Sequence, residues 1–157
     1  MQSERVWTFQ PFGELSGQDV YEVLQLRAAV FVVEQDCAYL DPDGQDQGAW
    51  HGLCREQGRL VAYQRCLPPG EASPRDSALG RIVVDPALRG QDLGRELVRR
   101  GIAFNRHTWP DHAILIGAQA HLQQFYGSLG FESCSEEYLE DGIPHVHMRL
   151  PAEAPIA

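Results

Sequence analysis

The stretch LGRIVVDPALRGQDLGRELVRRGIAFNR, residues 79–106, decides the fold of this chain. It opens with a short β-branched run, breaks at Asp85-Pro86 and continues through a loop that contains Gly90 and Gly94. Leucine, valine and isoleucine then recur at helical spacing, with arginines mostly on the other side. The pattern predicts a strand, a tight turn and a helix, with the Asp92 side chain as N-cap.

The loop before the predicted helix has the chemistry of a phosphate site. Glycine lets the backbone come close to a ligand, and a helix N-terminus presents unpaired N–H groups and the positive end of the helix dipole. Arg89 adds a fixed cation. Tight strand-to-helix turns also need glycine for steric reasons alone, so the loop by itself leaves both interpretations open.

A second motif, QAHLQQFYGSLGF, occupies residues 119–131. Its apolar and aromatic residues from Leu122 to Leu129 have the i, i+3, i+4, i+7 spacing of a helix, which Gly130 ends. Tyr126 lies on this stripe, where a tyrosine is ordinarily a core residue with its hydroxyl at the edge.

The two motifs together resemble those of the GCN5-related N-acetyltransferases, the GNAT family. In the pattern Arg/Gln-x-x-Gly-x-Gly/Ala, which binds the acyl-CoA pyrophosphate in that family, Arg89 and Gly94 match the ends and Asp92 replaces the middle glycine. Residues 119–131 resemble Asn-x-x-Ala-x-x-Phe-Tyr-x-x-x-Gly-Phe, with Gln119 in place of Asn and Leu122 in place of Ala.

Two further segments narrow the resemblance to the ElaA-like branch of the family. These are FVVEQ at residues 31–35 and EDGIPHVHM at residues 140–148. The resemblance covers most of residues 20–150. It implies an α/β fold, the acyl-CoA N-acyltransferase fold, with a mixed, mostly antiparallel sheet of six or seven strands and about four helices. Residues 1–150 are expected to form one domain, and residues 151–157 a disordered tail.

The function implied by the resemblance is direct transfer of an acetyl group from acetyl-CoA to a primary amine of a small molecule or peptide. The strands that end near Val84 and Gly117 would splay so that pantetheine lies between them. The alternative is a non-catalytic acyl-CoA-binding or sensor domain, which Asp92 in the pyrophosphate loop favours. Many relatives form dimers, so a homodimer is possible under the resemblance.

The site residues follow from the resemblance position by position. The predicted acetyl-CoA-binding residues are Ile82, Val83, Val84, Arg89, Gly90, Gln91, Asp92, Leu93, Gly94, Arg95, Gln119, Phe125 and Tyr126. The resemblance implies that Tyr126 donates a proton to the departing thiolate or bonds its sulfur, and a tyrosine with an ordinary pKa of about 10 stays protonated at neutral pH, as a general acid must. The candidates for the base are Glu34, His51, His121 and His145. Glu34 and His145 are predicted to line the acceptor site, and which residue is the base stays open.

Composition excludes several other classes of protein. The chain has 157 residues and a net charge of −9, which argues against a nucleic-acid partner and suits a cationic amine. All 13 basic residues are arginine, so neither a P-loop lysine nor a Schiff-base lysine exists. No apolar run has membrane-spanning length, and no targeting segment is apparent, which predicts a cytoplasmic protein with no membrane partner.

Two polar features are predicted to be structural. Asp41–Asp46 resembles the opening of a calcium loop but lacks the rest of the motif, so it is interpreted as an acidic turn and no metal site is predicted. Arg27 falls on the apolar stripe of the first predicted helix, where a buried, paired arginine is favoured over one that reaches a pocket. The four cysteines have no C-x-x-C spacing and are expected to be reduced and mostly packed.

Overall fold

One mixed β-sheet forms the centre of this computed structural model, which describes residues 4–153. Its eight strands are β1 (Arg5–Pro11), β2 (Trp50–Glu56), β3 (Arg59–Leu67), β4 (Ser77–Val84), β5 (Ile114–Gln119), β6 (Glu132–Ser133), β7 (Tyr138–Glu140) and β8 (Ile143–Leu150). The order across the sheet is β1-β2-β3-β4-β5-β8-β6, and β7 pairs with another part of β8. Every pair is antiparallel except β4 with β5.

The predicted fold class is confirmed. The sheet has eight strands against the six or seven predicted, and two of them, β6 and β7, are only two and three residues long.

Three α-helices accompany the sheet in the described part of the chain, against about four predicted. They are α1 (Gly17–Arg27), α2 (Leu93–Thr108) and α3 (Gln123–Gly127). The predicted capping box at the start of α1 is confirmed, since Ser16 and Asp19 bond each other's backbone N–H groups. The chain does not continue α1 as one regular helix, because Ala28–Glu34 forms a π-helix. The wider turn leaves Val33 74% exposed while Val30 is buried.

Helix α2 crosses from the end of β4 to the start of β5 and packs on β3 and β4. The apolar stripe predicted from residues 93–102 is buried against the sheet. At Gly101 the helix comes so close that an added Cβ would lie 2.1 Å from the side-chain oxygen of the buried Gln64. The amide of Gln64 donates to the carbonyl of Leu97 at 2.7 Å, which ties the sheet to the helix backbone.

The acidic turn at residues 41–46 is held by arginines. The side chain of Arg27 is completely buried and contacts Asp41 and Asp46, both at 2.8 Å. Arg65 contacts Asp43 at 2.8 Å and Asp46 at 2.9 Å. Burial raises the pKa of the Asp43 carboxyl, but its bonds to Arg65 outweigh burial and lower that pKa to about 2. Both the acidic turn and the structural role of Arg27 are confirmed.

The ends of the chain bear on two predictions. Residues 151–153 have no helix or strand, and residues 154–157 of the predicted tail lie outside the described part, as do residues 1–3. Within residues 4–153, none of the helices combines the length and the apolar character needed to cross a membrane.

Candidate active site

A cleft opens where β4 and β5 diverge. The two strands pair in parallel only at Ser77–Ile114 and Ala78–Leu115, and beyond this point they separate around a cleft of about 1150 Å³. The predicted splaying of the two strands is therefore present. It coincides with a one-residue bulge in β4, where Arg81 adopts a left-handed φ of 48°.

The loop between β4 and α2 presents free backbone amides to one end of this cleft. Gly90 and Asp92 have left-handed φ values of 83° and 58°, and such turns make a concave nest of N–H groups. The first hydrogen bond inside α2 runs from Glu96 N–H to the carbonyl of Asp92 at 3.1 Å. The amides of the three preceding residues therefore have no carbonyl of the helix to bond.

The predicted side-chain cap by Asp92 is wrong. Asp92 occupies the N-cap position, but its carboxylate accepts no hydrogen bond from the first turn of α2. A capping side chain reaches the amides from an extended backbone, whereas Asp92 is left-handed. Aspartate is among the residues that tolerate this conformation, so it can replace the glycine of the pattern without changing the path of the loop.

Two residues predicted for opposite ends of the site meet at the mouth of the cleft. The guanidinium of Arg89, predicted to bind pyrophosphate, contacts the carboxylate of Glu34 at 2.7 Å. Both side chains are partly exposed, so the pair is accessible to a competing anion. Glu34 ends the π-helix, which explains how it reaches the loop.

Tyr126 lies on the wall of the same cleft. Its ring packs edge-on against Phe125 and Phe131, at centroid distances of 5.1 and 6.0 Å. Its hydroxyl makes no hydrogen bond to any residue of the described part of the chain. Burial raises the pKa of the hydroxyl to about 12, so it remains protonated at neutral pH.

His145 lies on β8 opposite Gln119 of β5 and also lines the cleft. Its Nδ1 is 2.7 Å from the carbonyl oxygen of Ile143, and because a carbonyl can only accept, Nδ1 carries the proton of this bond. In the neutral ring, Nε2 then carries the lone pair. It lies 3.5 Å from the carboxylate of Glu140.

Residues 27–152 match the family description "Acetyltransferase (GNAT) domain". The chain belongs to the GNAT family. It is 44% identical to protein ElaA of Escherichia coli K12 over 144 residues, which cover 90% of this chain and 94% of ElaA. The crystal structure of Escherichia coli ElaA covers 92% of this chain with a TM-score of 0.86, and the match spans 99% of that structure. An acyl-CoA N-acyltransferase from Pseudomonas aeruginosa is 40% identical, with a TM-score of 0.90 over 94% of this chain and 99% of its own. The fold is that of the acyl-CoA N-acyltransferases, which implies an acyl-CoA cosubstrate.

Most residues predicted from the GNAT pattern line the cleft. They are Glu34, Ile82, Val83, Val84, Arg89, Gly90, Asp92, Gly94, Arg95, Gln119, Phe125, Tyr126 and His145. Two predicted residues turn elsewhere. The side chain of Gln91 accepts a bond from Arg5 at 3.3 Å, that of Leu93 is 1% exposed in the core, and neither residue lines the cleft.

The other two candidate bases differ in position. His51 is buried away from the cleft, with Nε2 2.8 Å from the carbonyl of Asp46 and Nδ1 2.6 Å from the hydroxyl of Tyr63. Burial lowers its pKa, which keeps the ring neutral and its role structural. His121 is exposed at the rim of the cleft.

Sequence reasoning missed several residues that line the cleft of this GNAT domain, among them Arg65, Arg81, Tyr138, Glu140 and His147. Glu140 and His147 flank the predicted His145 in the segment at residues 140–148, so the resemblance of that segment could have indicated them as site residues. No pattern marked Arg65 or Arg81, because both lie within runs that indicate only a strand.

Proposed function

We propose that this protein is an acetyl-CoA-dependent N-acetyltransferase that transfers an acetyl group directly to a primary amine of a small molecule or peptide. One observation carries the proposal: the loop before α2, with its free amides, and Tyr126, with its unbonded hydroxyl, line one cleft between diverging strands. The first suits a diphosphate, and the second suits a leaving group that needs a proton.

The residues fit the cosubstrate along its length. The amides from Gly90 to Arg95 would hold the diphosphate, with Arg89 and Arg95 supplying charge. The facing edges of β4 and β5 would pair with the pantetheine, near the side-chain amide of Gln119. Acetyl-CoA supplies the activated acetyl thioester. A backbone N–H near Val84 would polarise the thioester carbonyl, and Tyr126 would donate its proton to the thiolate as the carbon–sulfur bond breaks.

Of the two predicted acceptor-site residues, His145 is better placed to be the base. His145 lines the cleft and its Nε2, which carries the lone pair of the neutral ring, is 3.5 Å from Glu140, whereas the carboxylate of Glu34 is held by Arg89 at 2.7 Å. The ring of His145 would take the proton that the amine loses as its nitrogen attacks the carbonyl carbon. Glu140 and Asp141 beside it favour a cationic acceptor.

Calorimetric titration with CoA followed by an acetylation screen over a panel of amines tests the proposal. We expect CoA to bind and at least one amine to be acetylated. No heat at millimolar CoA would contradict any acyl-CoA function. Binding of CoA without turnover on any amine would instead support the non-catalytic acyl-CoA-binding domain.

Asp92→Gly is expected to tighten CoA binding by about three- to tenfold. The substitution removes a carboxylate from the diphosphate site and with it the charge repulsion of the ligand. Titration calorimetry measures the effect. Asp92→Asn is the matched control, because it removes the charge alone and should give a similar gain. Weaker CoA binding in Asp92→Gly would mean that the carboxylate takes part in binding.

Glu34→Gln is expected to tighten CoA binding by about two- to fivefold, because it frees Arg89 from a partly exposed ion pair. The same substitution made in an Arg89→Ala background should have no effect on the CoA dissociation constant. Equal gains in both backgrounds would show that Glu34 repels CoA directly and that the ion pair is not the cause.

A further inference from the structure

The bulge in β4 depends on a residue that does not favour its own backbone conformation. In the β3–β4 ladder, Arg65 faces Gly80 and Tyr63 faces Val83, so β4 has one residue more than β3 over this stretch. Arg81 lies in the extra position with φ 48°. Residues other than glycine, asparagine and aspartate rarely adopt this region, so the surroundings of Arg81 must hold it there.

The side chain of Arg81 is anchored to the acidic turn. Its Nε lies 2.8 Å from the carboxylate of Asp41, and its Nη2 lies 2.9 Å from the carbonyl oxygen of the same residue. A longer contact of 3.4 Å joins Nη2 to Asp43, and the guanidinium lies 5.9 Å from the ring of Tyr39. Asp41 is itself bonded to the fully buried Arg27, so the anchor is rigid.

The bulge lies at the place where the cleft opens. Pairing between β4 and β5 stops at Ala78, three residues before Arg81, and Ile82 to Val84 then line the cleft. Side chains alternate between the two faces of a strand. If the bulge at Arg81 were lost, the side chains of β4 on one side of Arg81 would therefore point to the opposite face of the sheet. The wall that β4 contributes to the slot, the part of the cleft between β4 and β5, therefore depends on the conformation of Arg81.

We propose that Arg81 is a positioning residue, whose pairing with Asp41 holds the left-handed bulge and keeps the slot between β4 and β5 open for the pantetheine arm of an acyl-CoA. The inference rests on the proposed function. It assigns Arg81 no contact with the reacting atoms.

Comparison of Arg81→Ala with Arg81→Gly separates this positioning role from direct contact between the guanidinium and the ligand. Alanine loses the anchor and disfavours the left-handed backbone, whereas glycine loses the anchor but adopts that backbone freely. By calorimetry, Arg81→Ala should weaken CoA binding about tenfold, the size of the left-handed penalty, and Arg81→Gly should recover most of this loss. Adenosine 3′,5′-bisphosphate, which lacks pantetheine, should bind all three proteins equally, because the loop before α2 is unchanged.

The CoA affinities of the two variants, compared with each other and with the wild type, decide the outcome. If Arg81→Gly binds CoA as weakly as Arg81→Ala, the guanidinium itself contacts the ligand and the proposal fails. Unchanged binding in Arg81→Ala also overturns it. If Arg81→Ala does not fold, Arg81→Gln replaces it. Wild-type protein that binds neither probe would contradict the proposed function instead.

Gln57 provides the matched control. It has a left-handed φ of 52° in the turn between β2 and β3, outside the cleft. Gln57→Ala and Gln57→Gly should differ from each other in stability in the same sense as the Arg81 pair. Neither should change the affinity for CoA or for the bisphosphate, which separates the effect on the slot from a general effect on stability.

Discussion

Replacing Tyr126 by phenylalanine is expected to lower the turnover of acetyl transfer about 100-fold, the usual contribution of a general acid, and to leave the CoA dissociation constant within about twofold. The substitution removes one oxygen from a ring that Phe125 and Phe131 hold in place, so the cleft keeps its shape. It breaks no hydrogen bond within residues 4–153, so little stability should be lost. Steady-state kinetics with the best amine of the panel, together with CoA calorimetry, measure the two effects.

Tyr21→Phe is the control for this experiment. Tyr21 is 66% exposed on α1 and does not line the cleft, so the same chemical change there should alter neither quantity. A Tyr126→Phe protein with wild-type turnover would show that the thiolate leaves without this proton. Equal losses in turnover and in CoA affinity would mean that the hydroxyl binds the cosubstrate rather than acting as an acid.

The parts of the site that could be predicted from the sequence are those encoded by local patterns. The strand, turn and helix of residues 79–106 follow from β-branched residues, glycines and helical spacing within one short stretch. The position of Tyr126 on the wall of the cleft follows from the fixed spacing of the motif around it. The buried role of Arg27 followed from a single charge on an apolar stripe.

The parts that could not be predicted depend on contacts between distant residues or on backbone conformation. Glu34 and Arg89 are 55 positions apart, and nothing local to either indicates that they pair. Arg81 is left-handed and contacts Asp41, which is 40 positions away, whereas a propensity-based argument assigns an ordinary strand residue there. Asp92 was predicted as a cap from its residue type, but the nest needs a left-handed residue at that position.

Arg27→Ala is expected to lower the free energy of unfolding by about 3–5 kcal/mol, the usual result of removing one partner from a buried ion pair. Arg27 is completely buried and contacts Asp41 and Asp46, both at 2.8 Å, and its guanidinium lies 5.8 Å from the ring of Tyr63. Its loss leaves two buried carboxylates with fewer cations, and Arg65 and Arg81 compensate only in part. Urea denaturation followed by circular dichroism gives the free energy.

Arg55→Ala is the matched control, because Arg55 also joins two carboxylates, at 2.7 and 2.8 Å, but with 23% of its side chain exposed. Solvent screens that pair, so its loss should cost no more than about 1 kcal/mol. Arg27→Lys should recover little of the loss, since one ammonium group cannot match the forked contacts of the guanidinium to both carboxylates. If Arg27→Ala were no less stable than Arg55→Ala, burial would not determine the strength of these pairs, and the turn at residues 41–46 would not be the rigid support that the bulge at Arg81 requires.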